Sequence, residues 1–322
     1  MATSAPALPT RSRTRSLRLP GADEIAHIVC WTFAAAVVAI TLALLAALWI
    51  KSDPARSKFG FGFLTSSLWN PVTNEYGALP FLYGTVVTSF LALLISVPLG
   101  VGAAIYLSEL AGSKLSSALT FLIELLAAVP SVIYGLLAIF TLVPLMRNYV
   151  EPAIRAALGW LPIFSGPIFG YGYLTASVIL SVMTFPFIIS VSREALMAVP
   201  REQREAALAL GATKWEATWQ VVVPFARLGI FGSIFLGLAR ALGETMAVTM
   251  VIGNDPSIRT SLFSNGYTIA AIIANEFTEA TGDIYLSALV ELGLVLFALT
   301  IVINGLARLM IVLTARKGTA RA

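Results

Sequence analysis

Charge is what this sequence has least of. Only 12% of its 322 residues are Asp, Glu, Lys or Arg, while 58% are hydrophobic. That charged fraction is about half of what a soluble domain carries. A water-soluble fold of this size cannot hide so much apolar surface, which excludes an ordinary soluble enzyme. Intrinsic disorder is excluded too, because it needs low hydrophobicity and high charge. Cysteine is limited to Cys30, so no disulfide framework and no cysteine-cluster zinc or iron–sulfur site can form within the chain. His27 is the sole histidine, which removes the H-E-x-x-H zinc motif and any histidine-dependent triad. The phosphate loop G-x-x-x-x-G-K-[ST] does not occur, so the chain is not expected to bind ATP by itself. No catalytic residue, metal ligand or cofactor is expected, and energy for any work must come from a partner. Ten-residue units of alternating polarity are also missing, which argues against a membrane β-barrel.

What the chain does have is long apolar runs. A bilayer core of about 30 Å needs about 20 apolar residues of helix. Six runs qualify, at about 28–50, 80–107, 118–146, 171–192, 228–252 and 284–313. The third contains Glu124, the fifth Arg240 and Glu244, and the last Glu291. Pro98, Pro130, Pro144 and Pro186 lie inside these runs and are tolerable in a membrane, where neighbouring helices re-satisfy the freed carbonyls. With the N-terminus placed inside, the inner segments hold fourteen Lys and Arg and the outer loops six, Arg240 being the remaining one of 21. The basic excess marks the cytoplasmic side, so both termini are expected there. The net charge of +4 thus reports topology, not nucleic-acid binding. The first run is too long for a usual signal core and lacks a small-x-small cleavage site, so it reads as an uncleaved span.

The sequence therefore predicts an all-α integral membrane protein with six transmembrane helices. Its parts are a basic cytoplasmic tail over 1–27, a first helix over 28–50, and an extracytoplasmic loop over 51–79. A core of five helices over 80–313 follows, interrupted by a cytoplasmic loop at 193–227, and 314–322 form a second cytoplasmic tail.

The loop at 193–227 carries the most specific pattern. Pro200 punctuates the entry to a helix starting near Arg201, Gly211 interrupts it, and a second helical run from Thr213 is expected to stop before Pro224. On composition alone this is a surface-lying amphipathic hairpin. The spacing says more: Glu205-Ala206-Ala207, then Gly211, then Val221-Val222-Val223-Pro224. It resembles the EAA loop of ABC importer permeases, whose pattern is E-A-A, three residues, G, nine residues, I-x-L-P. Val221 and Val223 replace the Ile and Leu. The resemblance implies the type I importer architecture and a loop that docks into a cleft on a separate cytoplasmic ATPase. Glu205, Ala206, Ala207, Gly211 and Pro224 then become the ATPase-coupling residues. Alanines and a glycine offer a low, close-packing surface, and Glu205 an ionic contact.

Arg240 and Glu244 need explaining wherever they fall in a membrane. Arg240 lies about twelve residues, roughly 18 Å, from either end of its run. A central arginine costs about 2.5–3.5 kcal/mol even on the lenient insertion scale. The i,i+4 spacing predicts that the two share a helical face and pair. That pair either fastens helices together or forms a substrate-path site, with Arg240 attracting an oxyanion and Glu244 as its counter-charge.

Several segments resemble the phosphate-specific permease subunits of ABC importers. These are the GLARALGETMAV run over 237–248, YGALP over 76–80, ELLAAVPSVIYG over 124–135 and TIAAIIANEF over 268–277. The resemblance spans about residues 60–310 and leaves out the basic tail. It implies one half of a translocation path for inorganic phosphate in the inner membrane of a bacterium. The implied partners are a second permease subunit, an ATPase and an extracytoplasmic phosphate-binding protein. A permease for sulfate, molybdate or phosphonate remains the nearest rival. A stand-alone secondary transporter would need inverted repeats, which are not visible. The stretch 267–277 reads equally as a re-entrant segment or as an interfacial helix lying flat, and the acids of 254–283 as a negative outer mouth. Glu124 and Glu291 read as helix–helix or interface residues.

Overall fold

The computed structural model describes residues 22–319, with side chains described over 23–309. The chain divides into two compact units, residues 1–47 and 48–322. Most of the expected basic tail lies outside the described residues. The first unit is dominated by helix α1 (Ala22–Lys51), which no proline or glycine interrupts; Asp23 and Glu24 open it and Lys51 closes it, matching the helix dipole at both ends. Its apolar side chains, such as Trp31, Phe33 and Ile40, are exposed all round, the surface a helix in lipid requires.

The second unit opens with the short helices α2 (Asp53–Phe59) and α3 (Gly62–Thr65). A small hairpin follows, strands β1 (Trp69–Asn70) and β2 (Glu75–Tyr76), with Trp69 facing Tyr76 across the register. Then come α4 (Leu79–Ile105), α5 (Ser113–Ala128), α6 (Ser131–Leu137), α7 (Val143–Leu145) and α8 (Glu151–Leu158). The chain continues through α9 (Tyr173–Met197), α10 (Arg201–Ala209), α11 (Lys214–Ala217), α12 (Val223–Gly243), α13 (Met246–Val251), α14 (Ile269–Glu276) and α15 (Asp283–Thr319). Among the described residues, six helical stretches are long and apolar enough to cross a membrane: 23–51, 79–110, 131–158, 173–197, 214–243 and 283–309.

Two of the six differ from the sequence expectation. The run at 118–146 is not one helix: α5 ends at Ala128, Val129 is extended (φ −67°, ψ 128°), and α6 starts after Pro130. Proline biases its predecessor away from the helical region and cannot donate to the preceding turn. The apolar stretch that fits a span is 131–158, joined through two π turns at Ala138–Leu142 and Met146–Val150. The run at 228–252 also breaks, into α12 and α13, with Glu244 and Thr245 between them. Pro98 and Pro186, by contrast, sit inside unbroken helices.

The second helical run of the loop does not stop before Pro224. It passes from α11 through a π turn at Thr218–Val222 into α12, where Pro224 occupies the first turn. Because the helical run is continuous there, it is the π turn that absorbs the N–H missing at Pro224.

Helices α4 and α12 both lie against α9, and small residues set the spacing. A methyl group on Gly100 of α4 would reach 2.8 Å from Ile188 Cγ2, and one on Gly237 of α12 would reach 3.1 Å from Ile188 Cγ1. Helices without a hydrophobic drive between them associate through such close approach and through polar contacts. Ser192 of α9 and Ser233 of α12 supply one, their hydroxyls 2.7 Å apart and buried. Three apolar clusters result. One fills the middle around Tyr134, Tyr173, Leu180 and Val248. Another joins Phe63, Tyr76, Phe81, Tyr267, Ile272 and Tyr285 at one end, and a third joins Ile105, Leu107, Ile189, Leu196 and Val222 at the end bearing α10 and α11.

Candidate functional site

Arg240 occupies the last turn of α12. Gly243, a poor helix former, ends the helix, and Glu244 is extended (φ −69°, ψ 128°). The helical register linking residues 240 and 244 is therefore lost. No ion pair joins them among the described residues, which corrects the paired-charge expectation. Glu244 turns to the other side of the break, where its Oε1 accepts from the Ala247 N–H at 3.5 Å, a long bond at the start of α13. A carboxylate there faces the positive end of the helix dipole.

Freed of that partner, the Arg240 guanidinium lies over the ring of Phe187 in α9, 4.3 Å from its centroid. It lies near Tyr134 as well, whose hydroxyl donates to the Leu126 carbonyl at 2.7 Å. The Arg240 Nε is buried with no hydrogen-bond partner. Stacking satisfies the flat face of a guanidinium while leaving its edge of N–H donors unused, and that edge is what a planar or tetrahedral oxyanion binds. The position is a broken helix within an apolar bundle, a geometry that suits ion sites at membrane depth. Sequence reasoning found Arg240 and missed Phe187, whose only signal was an aromatic residue after Pro186.

In the loop, α10 ends where Gly211 adopts φ +91°, a conformation few other residues take. Thr213 then starts α11 with a reciprocal capping box: its hydroxyl accepts from the Glu216 N–H, and the Glu216 carboxylate accepts from the Thr213 N–H at 2.7 Å. The T-x-x-E spelling was legible in the sequence. Ala206, Ala207, Leu210 and Gly211 line a concavity of about 600 Å³, closed on its other side by Glu216, Gln220 and Val221. Glu205 is exposed on α10, and Leu210 is 91% exposed. Pro224 is exposed at the start of α12. The five residues expected to couple to an ATPase thus stand along one helix–turn–helix, with Arg204 between α10 and the bundle. Arg204 donates from Nε and Nη2 to the two carboxylate oxygens of Glu109, at 3.1 and 2.8 Å. Nothing in the sequence pointed to that pair, whose members lie far apart along the chain.

The opposite end is closed by aromatic packing. Glu276 accepts from Trp69 Nε1 at 2.9 Å and from the Tyr285 hydroxyl at 2.6 Å. Tyr76 stacks on Tyr285 with centroids 5.4 Å apart. Burial, with Glu276 nearby, holds the Tyr76 hydroxyl above its usual range. Burial pushes the Tyr267 hydroxyl up to about 12, against a hydrogen bond from Asn275 that lowers it. Helix α14 is not a surface helix lying flat, since Ile269, Ala270, Ala271 and Ile272 are buried. Nor is the acidic mouth a free field of charge: Glu276 is bonded inward, and Asp255 lies 3.9 Å from Arg259. Glu124 is exposed on α5. Glu291 is buried in α15, its Oε2 without a partner.

A bundle of apolar helices with an arginine at a helix break and an exposed helix–turn–helix at one end fits a class, the membrane component of a transporter. Residues 96–312 match the family described as binding-protein-dependent transport system inner membrane component, and the chain belongs to that family. It is a multi-pass inner-membrane permease subunit of an ABC importer, working with a separate ATPase and a binding protein. Among its relatives is the "Phosphate transport system permease protein PstC" of Mesorhizobium japonicum, 48% identical over 92% of each chain. A protein of the same name from Xylella fastidiosa is 45% identical over 94% of each chain. The fold matches a chain in the crystal structure of a bacterial alginate ABC transporter with its periplasmic protein. That match has a TM-score of 0.59 at 15% identity and covers 89% of this chain and 95% of that one.

Proposed function

We propose that this chain imports inorganic phosphate, as the permease half that pairs with a PstA-like subunit on a PstB-like ATPase. A PstS-like extracytoplasmic protein would deliver the anion. The observation carrying this reading is the Arg240 guanidinium, fixed by stacking at a helix break with a buried donor unused. The relatives' names support phosphate as the anion.

In this reading Arg240 receives the oxyanion and releases it as the helices rearrange. Glu244 acts from the neighbouring helix start as a counter-charge that limits how tightly the anion is held. Glu205, Ala206, Ala207, Gly211 and Pro224 form the coupling segment, the α10–α11 concavity being the surface that meets the ATPase. Both termini and this loop, within residues 193–227, lie in the cytoplasm in this reading, which the basic excess supports. The permease core then runs over 80–313, with 51–79 as an outer loop and the tails 1–27 and 314–322 inside.

The test is uptake of labelled phosphate by cells carrying Arg240→Gln in place of the wild-type chain, with sulfate and molybdate as competitors. The expected outcome is loss of uptake with the complex still assembled, and wild-type uptake insensitive to both competitors. Full transport by the variant would remove Arg240 from the path. Competition by sulfate or molybdate would favour the rival oxyanion.

A further inference from the structure

Arg204 makes four side-chain hydrogen bonds, yet it lies in a loop whose exposed surface points elsewhere. Its guanidinium makes a bidentate contact to Glu109, and Nη2 also donates to the Leu196 carbonyl at 2.7 Å. Nη1 donates to the Val199 carbonyl. Leu196 and Val199 belong to the last turn of α9 and the residues just after it, where the Leu196 carbonyl also accepts from the Val199 N–H at 3.3 Å. Glu109 lies in the π turn Tyr106–Leu110 that ends the α4 segment, its side chain only 9% exposed. One side chain therefore ties three elements: α10, the end of α9 and the end of α4.

On α10 itself, Gln203, Ala206, Ala207 and Leu210 repeat at helical spacing along the concavity. Arg204 is a hundred degrees of helix away from Gln203 and faces the bundle. A force applied to the concave face has two routes into the bundle. One is the continuous chain through Gly211, α11 and α12. The other is the Arg204 contact, which grips the end of α4 directly, whereas α12 meets α4 only by packing, as at Gly237 beside Leu93. Bidentate arginine–carboxylate geometry resists both sliding and rotation, whereas the covalent route passes through the Gly211 turn.

We propose that the Arg204–Glu109 pair is the joint through which displacement of α10 is delivered to α4, making Glu109 a positioning residue for transport. This rests on the reading of α10 as the ATPase-docking helix. When α10 moves, the joint obliges the end of α4 to follow. Because α4 packs on α9 at Gly100 and Ile188, that motion reaches the helix that carries Phe187. Without the joint, the ATPase still docks and cycles, but its stroke is lost in the loop.

The test uses the full complex in proteoliposomes with phosphate-loaded binding protein, reading phosphate uptake and ATP hydrolysis together. Glu109→Ala is expected to keep hydrolysis within about twofold while phosphate transported per ATP falls at least fivefold. Glu109→Gln, which is isosteric and keeps the fold, is expected to lower the ratio about threefold, and Glu109→Asp less. An unchanged ratio in Glu109→Gln overturns the proposal, and so does a parallel fall of uptake and hydrolysis, which marks a purely structural contact. The docking reading fails separately, if Ala206→Asp leaves ATPase attachment and uptake intact.

Discussion

Two arginines in this chain stand in opposite conditions, and the contrast separates a structural site from a receptive one. Around Arg204 each nitrogen of the guanidinium has a partner: a carboxylate on one edge and two carbonyls on the other. Around Arg240 the contact is a ring face, and Nε is buried without a hydrogen-bond partner. Burying a polar group unbonded costs about 1–3 kcal/mol, so the Arg240 donor, like that of Arg193, gains by acquiring a partner. The heavily bonded arginine can transmit force because a carboxylate and two carbonyls hold it on every nitrogen. In the proposed function the other arginine binds an oxyanion and lets it go, because stacking holds it without consuming its Nε donor.

The sharpest way to break this contrast is to remove each charge. Truncating one member of a desolvated charge pair costs about 2–5 kcal/mol, or about 30-fold to several thousand-fold in binding at 1.4 kcal/mol per decade. Arg240→Gln is therefore expected to lower phosphate uptake at least thirtyfold, measured as initial rate at low phosphate, with the complex still recovered intact on purification. Ala206→Asp is expected to be about as severe on uptake, but by a different route: the carboxylate enters the concavity beside Ala207 and Leu210, so ATPase recovery falls together with transport. Glu109→Gln comes below both, affecting the ratio of transport to hydrolysis rather than assembly. If all three variants gave one phenotype, the division between receptive and transmitting sites would collapse.

Much of this architecture was readable from residue types because membrane spans are set by composition over twenty residues, which a single sequence records faithfully. Where the reading failed, the cause was local. Between residues 113 and 158 more apolar chain is available than one crossing needs, so hydropathy alone could not choose the segment. Pro130 could have chosen it, since it forces Val129 out of the helical region. The Arg240–Glu244 pair was inferred from helical spacing, and Gly243 ended the helix one residue too early for it. Glycine beyond a helix is a stop signal, legible in advance. The Arg204–Glu109 contact was not legible at all. It joins a loop to a span end, and no periodicity relates residues so far apart.

The smallest expected effect tests what holds Arg240 in readiness. Phe187 projects from α9, one residue beyond Pro186 and next to Ile188, the residue against which both Gly100 and Gly237 close. A cation–π contact contributes about 0.5–1 kcal/mol at exposed sites and about 2 or more when desolvated. Phe187→Leu keeps the bulk and removes the ring face. The guanidinium then gains orientations that must be frozen again on binding, so the half-saturation concentration for uptake should rise about threefold to tenfold while the maximal rate holds. Phe187→Tyr keeps the ring and should stay near wild type. A Phe187→Leu effect on maximal rate alone would mean that the ring shapes the helix packing instead of presenting the charge. In that case Arg240 would differ from Arg204 only in having fewer bonds, with no readiness built into it.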